Sequence, residues 1–240
     1  MTQRLWTTQV RRTERLTPLM IRVTVGGSQL REFISNGTDQ NVILYFYEDG
    51  VRLPEPLTLE SARAFFATAW PIMRTYTIRR FDSVRHEIEI DFVLHEGGFA
   101  SGWAERAAIF DRLIFAGPSR AFALEPSVDH YLIAGDETAL PAIGALLAEM
   151  PAECPATVFI EIADAAEEQK LPRSVTWLHR NGAAPGELLV PAVRNAEFPG
   201  GTVHAWVGAE AAAVRDLRHY LRDERGLRRN QTSITVYWRI

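Results

Sequence analysis

Six consecutive residues, Arg74-Thr75-Tyr76-Thr77-Ile78-Arg79, put guanidinium, phenol and hydroxyl groups within reach of one ligand. In a β-strand Arg74, Tyr76 and Ile78 share one face, and Thr75, Thr77 and Arg79 share the other. Such a strand offers a cation for phosphate, a flat stacking surface and a short hydrogen-bonding group. Those are the needs of a flavin nucleotide, with its anionic phosphates, planar ring and ring nitrogen N5. The same six residues are equally an ordinary edge strand with two solvated arginines.

A second stretch, His95-Glu96-Gly97-Gly98-Phe99-Ala100-Ser101-Gly102-Trp103, follows a strand and leads into a helix expected over 103–108. Glycine permits close approach, so free N–H groups at a helix start can hold a pyrophosphate, and Ser101 adds a hydroxyl. A structural hairpin fits the same residues. The Gly-Lys-Ser/Thr ending of a Walker loop is missing. Asp91 and His95 share a strand face and could form a general acid/base pair, although such a pair beside a Gly-rich turn more often orients a ligand. A Gly-x-Ser-x-Gly elbow is absent, and His86, His95 and His130 lack metal-ligand spacing. No catalytic side chain and no resident metal site are assigned.

A third stretch, Gly135-Asp136-Glu137-Thr138-Ala139-Leu140-Pro141, joins a strand to a helix, with a capping-type Asp and Thr. That is the carboxyl-end crevice where parallel sheets take nucleotides, or else a capped helix with no ligand. The Gly-x-Gly-x-x-Gly fingerprint is absent. Glu161 and Asp164, after the next strand, could meet a ribose or lie in a solvated loop.

The elements that must position these groups change character along the chain. In the first half, strands are expected at Met20–Val25, Val42–Tyr47, Arg74–Arg80, Ile88–Leu94 and Leu113–Ala116, with a turn at Glu48-Asp49-Gly50 and a helical turn at 62–68. Short strands separated by turns point to a small antiparallel barrel. From about residue 128 strands alternate with helices. The strands are His130–Ala134, Thr157–Ile162, Ser174–Leu178, Thr202–Val207 and Ile234–Trp238, and the helices follow Pro141 and span Ala209–Arg225. This rhythm implies a parallel, nucleotide-binding type of sheet. The basic stripe Arg215, Arg218, Arg222 and Arg225 is interleaved with Asp216, Asp223 and Glu224, as on a solvated helix face. The join is expected between Arg120 and Asp129, where Pro126 and Ser127 interrupt the pattern.

The chain of 240 residues has a formal charge of −4, which argues against bulk nucleic-acid binding. Its start is polar, without the apolar core of a signal peptide, and no stretch approaches a membrane span. The single cysteine, Cys154, excludes an intrachain disulfide. A cytoplasmic protein, expected to be a monomer, follows.

In their order, these motifs resemble the siderophore-interacting protein family, flavin-dependent ferric-siderophore reductases of the ferredoxin-reductase superfamily. The resemblance runs almost end to end. It is carried by Arg15-Leu16-Thr17-Pro18 through Gly27, by Arg74–Arg79, by Asp91-Phe92-Val93-Leu94-His95, by Gly98–Ala104 and, most distinctively, by Ala134–Ile143. Trp177-Leu178-His179-Arg180 and Tyr237-Trp238-Arg239 add to it. The resemblance implies an N-terminal antiparallel FAD-binding β-barrel over 1–125 and a C-terminal α/β domain with a parallel sheet, binding NAD(P)H, over 126–240.

It also implies residue roles. Arg74 would hold a flavin phosphate, Tyr76 would pack on the isoalloxazine and Thr77 would bond near N5. Asp91, Val93 and His95 would line the flavin, Ala100 and Ser101 would contact the pyrophosphate, and Gly135, Asp136 and Thr138 would sit where the two nucleotides approach. Hydride would pass from NAD(P)H to the flavin and electrons singly to iron in a ferric siderophore, the small-molecule substrate. Arg120, Arg239 and Arg52 are the cations expected to face that substrate. The chain departs from the family in having Gly208-Ala209-Glu210 for Ala-Gly-Glu and Ser119-Arg120 for Arg-Gly after Gly117-Pro118. Glu161 near a ribose would disfavour a 2′-phosphate, whereas Arg173 and Arg180 would favour one. A general flavin oxidoreductase with another acceptor and a non-enzymatic siderophore binder are the alternatives.

Overall fold

The computed structural model describes residues 4–48, 50–125 and 127–240, so Asp49 of the expected turn and Pro126 of the expected join lie outside the described residues. The chain divides into two compact units, Met1–Phe122 and Ala123–Ile240.

Unit one contains β1 (Arg4–Thr17), β2 (Met20–Gly26), β3 (Asn41–Phe46), α1 (Leu59–Phe65), β4 (Ile72–Thr77), β5 (Arg80–Asp82), β6 (Glu87–Val93), α2 (Phe99–Arg106) and β7 (Arg112–Gly117). Its seven strands form one sheet in the order β4-β3-β7-β1-β2-β6-β5, with every pairing antiparallel. The period-two pattern decides which face goes inside. Ile88, Ile90 and Phe92 join Val10, Val23, Val25, Leu44, Leu113 and Phe115 in one buried cluster. Each such side chain contributes about 1.5–3 kcal/mol by leaving water. The strand expected over 74–80 is interrupted at Ile78–Arg79. There the Ile78 N–H donates to Gln40 O at 2.8 Å, while the Arg79 N–H donates to Glu89 O at 2.9 Å. One bent strand thus passes from one edge of the sheet to the other and curls it into a half-barrel.

The long β1 is not among the expected strands. Its outer part, residues 11–15, is charged and largely exposed, which hides its alternation. The helical turn expected at 62–68 is α1, started four residues earlier by a capping box between Thr58 and Ser61.

Unit two contains β8 (His130–Asp136), α3 (Leu140–Glu149), β9 (Ala156–Ile162), β10 (Thr176–His179), α4 (Leu189–Arg194), β11 (Val203–Glu210), α5 (Ala211–His219) and β12 (Thr232–Trp238). Its five strands run parallel in the order β10-β9-β8-β11-β12. The chain builds outward from β8 through β9 to β10, then returns to the other side of β8. The switch point therefore lies between β8 and β11. Helix α5 is shorter than expected because β11 runs through Glu210 and a π-type turn takes over at Tyr220–Glu224. Val214, Leu217 and Leu221 face inward as expected. Three members of the basic stripe are held within the unit, Arg218 by the Ile234 carbonyl, Arg222 by the Thr232 hydroxyl and Arg225 over the Phe198 ring.

Candidate functional site

In unit one, β4 carries Arg74, Tyr76 and Thr77 just ahead of the bend at Ile78–Arg79. Arg74 is exposed, donates to Met73 O at 2.9 Å, and among the described residues pairs with no carboxylate. Tyr76 packs its ring 4.3 Å from that of Phe92. Burial pushes its hydroxyl up to about 12, against the pull of Arg74, so it stays a neutral phenol. Thr77 is buried beside it. A run of ring contacts then continues from Phe92 to Trp103 and Phe46, and from Phe46 to Phe99. This aromatic floor brings β4, β6 and the start of α2 together.

Helix α2 begins at Phe99, four residues before the expected start, with Gly98 as its N-cap. Ala100 and Ala104 point into the barrel core, so any ligand contact from Ala100 must use its backbone. The buried Ser101 hydroxyl accepts from the His95 N–H at 2.9 Å and donates to His95 O at 3.1 Å. Its side chain fixes the turn, while the first-turn N–H groups have no partner inside the helix. No acidic residue lies in that turn, and a side chain at Gly98 would overlap the His95 ring. A free cation, a neutral ring and an open helix start therefore fit a flavin dinucleotide.

The Asp91–His95 acid/base pair is not formed. Asp91 is buried and chelated by Arg22, Nε to Oδ1 at 2.6 Å and Nη2 to Oδ2 at 2.8 Å. The strand ends at Val93, which is half-buried opposite Met20, and His95 turns outward with Nδ1 3.2 Å from Glu96 O. Arg22 was not singled out from the sequence. Only the β2–β6 register, which sets Arg22 opposite Asp91, reveals it.

In unit two, Gly135 and Asp136 end β8 opposite Gly208 of β11. A Cβ at Gly135 would lie 2.8 Å from both Gly208 O and Ala139 Cβ, so the strands and α3 close tightly there. Asp136 does not cap α3, whose N-cap Ala139 makes no side-chain bond. Its carboxylate instead accepts from the Thr138 N–H (2.9 Å) and hydroxyl (2.5 Å), the Glu210 N–H (2.9 Å) and the Trp238 indole (2.8 Å). Burial, then the charge of Glu137, raises its pKa to about 6, while the bonds from Thr138 and Trp238 pull it back. Glu210 and Trp238 were not picked out as partners from the sequence, and no local signal links residues 102 positions apart.

Of the groups considered for a ribose or its 2′-phosphate, Glu161, Arg180 and Arg173 are engaged inside the unit, whereas Asp164 is exposed and caps a short 3-10 turn through the Ala166 N–H. Glu161 is 0% exposed and accepts N–H bonds from Gly186 (2.7 Å), Leu188 and Leu189 (both 3.0 Å). Arg180 forks onto Glu137 at 2.5 and 2.7 Å, and Arg173 binds the carbonyls of Pro151, Ala152 and Cys154. Arg52 and Arg120 are exposed in unit one and Arg239 in unit two. Among the described residues no three His, Cys, Asp or Glu side chains cluster as metal ligands, and no helix is long and apolar enough to cross a membrane.

Comparison with known proteins follows this division. Residues 9–122 match the siderophore-interacting FAD-binding domain, and residues 128–240 match the siderophore-interacting protein model. A siderophore utilization protein from T. fusca is 39% identical with a TM-score of 0.86, over 100% of this chain and 94% of that one. Ferric vibriobactin reductase ViuB of Vibrio cholerae is 28% identical, over 92% of this chain and 84% of the relative. An NADPH-dependent ferric-chelate reductase of Escherichia coli is 27% identical, over 87% and 83%. With both units matched in order and the T. fusca protein aligned along the whole chain, this protein belongs to the siderophore-interacting protein family.

Proposed function

We propose that this chain is a flavoprotein reductase that takes electrons from NAD(P)H and delivers them to iron held as a ferric siderophore. The observation that carries the proposal is the exposed, acid-free Arg74 two residues from the neutral Tyr76, whose ring is linked through Phe92 and Trp103 to α2 with its open first turn. Relatives named as ferric vibriobactin reductase and NADPH-dependent ferric-chelate reductase support the acceptor and the donor.

The barrel unit is assigned to FAD and the α/β unit to NAD(P)H. Arg74 holds a flavin phosphate, Tyr76 packs on the isoalloxazine and Thr77 offers its hydroxyl near N5. Val93 and His95 line the flavin, with Asp91 fixed by Arg22, and the N–H groups of Ala100 and Ser101 take the pyrophosphate. Gly135 and Thr138 border the nicotinamide end. Bound flavin supplies the conversion between a two-electron hydride donor and a one-electron acceptor. The side chains bind and orient, and none is assigned a proton transfer. Arg52, Arg120 and Arg239 are the cations offered to an anionic chelate, by a monomer working in the cytoplasm.

The test is an absorbance spectrum of the protein with added FAD, followed by anaerobic titration with NADH and NADPH and rates on ferric siderophores against simple ferric chelates. Stoichiometric flavin, bleaching by a nicotinamide nucleotide and preference for a siderophore are expected. Failure to bind FAD refutes the proposal, and equal rates on all chelates refute its acceptor.

A further inference from the structure

Asp136 is 1% exposed, and each of its carboxylate oxygens receives two donors. Oδ1 takes both groups of Thr138, and Oδ2 takes the Glu210 N–H and the Trp238 indole N–H. Four donors fill the lone pairs of a carboxylate and leave no acceptor for a ligand. The group is therefore poorly suited to touch a nucleotide and well suited to anchor something that does.

What it anchors is set by topology. β12 is separated from β8 by β11, so the Trp238 indole must cross the carboxyl end of β11 to reach Asp136. Open α/β sheets take their ligands at the carboxyl ends beside the switch point, here between β8 and β11. At that place Gly135 and Gly208 face each other without side chains, and a Cβ on Gly208 would lie 2.9 Å from the Tyr237 ring. Both glycines are closed over by Ala139, Ile143 and the Trp206 and Tyr237 rings, and the half-buried Trp238 indole, in register with Glu210, lies past them at the carboxyl end of β11.

We infer that Asp136 is a positioning residue that holds the Trp238 indole across the switch-point crevice, where the indole is the wall that seats the nicotinamide nucleotide. The inference rests on the reading that NAD(P)H is the electron donor. An indole tethered at its N–H keeps its ring face at a fixed orientation, so a planar ligand meets a surface that needs no further ordering. The Glu210 N–H shares the tethering oxygen, so the ends of β11 and β12 are set by one group.

The experiment uses the FAD-loaded chain with Trp238→Phe, Asp136→Asn and the double variant. Flavin content is measured, and stopped-flow reduction over a series of NADH and NADPH concentrations separates nucleotide affinity from limiting rate. Trp238→Phe is expected to keep its FAD and to bind the nucleotide about tenfold more weakly, with a much smaller change in limiting rate. Asp136→Asn is expected to move affinity in the same direction, and the double variant to be no weaker than the worse single one, because one residue acts through the other. Unchanged nucleotide affinity in Trp238→Phe overturns the inference, and so do additive losses in the double variant. If Asp136→Asn does not fold, Trp238→Phe alone decides. A wild-type protein that holds FAD but is bleached by neither nucleotide overturns the donor reading and this inference together, an outcome distinct from an unaffected variant.

Discussion

Replacing Glu161 with Gln separates a structural carboxylate from a coenzyme ligand. The side chain is fully buried, with Oε1 taking the N–H groups of Leu188 and Leu189 and Oε2 taking the Gly186 N–H at 2.7 Å. Arg180 lies 3.5 Å from Oε2. A glutamine carbonyl can serve one pair of donors, but its NH2 then points at the rest. One charge-assisted bond is lost, about 1.5–3 kcal/mol, and the opposed N–H is left unsatisfied at about 1–3 kcal/mol. The expected loss is therefore about 2.5–6 kcal/mol, a large part of the roughly 5–15 kcal/mol that holds a domain together. Urea denaturation should show a clearly lowered midpoint with an unchanged slope. The ratio of kcat/KM for NADH over NADPH, measured at a temperature where the variant is folded, should stay within about twofold, since it reads the difference in transition-state binding between the two donors. An unshifted midpoint together with a change in that ratio above about tenfold would show that Glu161 meets the ribose after all, and the argument from its buried partners would be wrong.

Three further outcomes are expected. Arg74→Ala should weaken FAD binding about 10- to 100-fold by flavin fluorescence, the scale of a charge-assisted bond, while the melting of the flavin-free protein barely moves. Gly135→Ala drives a methyl to within 2.8 Å of backbone at Gly208, so a destabilisation of about 1–3 kcal/mol is expected in urea, with wild-type stability as the refuting result. Asp136, raised to about 6 in the fold, makes stability pH-dependent with a definite sign. Its contribution is full below the unfolded value of about 3.9 and is lost as pH rises through about 6, up to about 3 kcal/mol. Denaturation midpoints of Asp136→Asn should lack that decline, and a slope equal to that of the wild type would refute the assignment.

The sequence made the architecture and its signature stretches readable because both rest on local pattern. The alternation of Ile88, Ile90 and Phe92 announced β6, and the change of rhythm after residue 128 announced the parallel sheet. Helix α4 escaped notice because it is six residues long and carries Pro191 inside it. β1 escaped because its outer half is charged on both faces. The site was legible as residue types, not as bonds. Asp91 looked free to bind or catalyse until the register set Arg22 against it, and Glu161 looked like a ribose ligand until the Gly186–Leu189 turn folded over it. Burial and long-range partners are properties of the fold, and no neighbouring residue encodes them.

The two-residue step at Ile78–Arg79 has a consequence for how unit one lives and dies. Because β4 and β5 are halves of one strand, the first and last members of the sheet are tethered to each other, and neither border can peel away alone. The tether follows directly after Arg74–Thr77, so whatever binds that stretch acts as a clasp on the half-barrel. Occupancy then adds to folding stability, and each tenfold rise in free flavin above its dissociation constant adds about 1.4 kcal/mol to the folded form. In a cell, the abundance of this protein would then track the supply of its cofactor, because the flavin-free form unfolds more readily and is the one proteases cut.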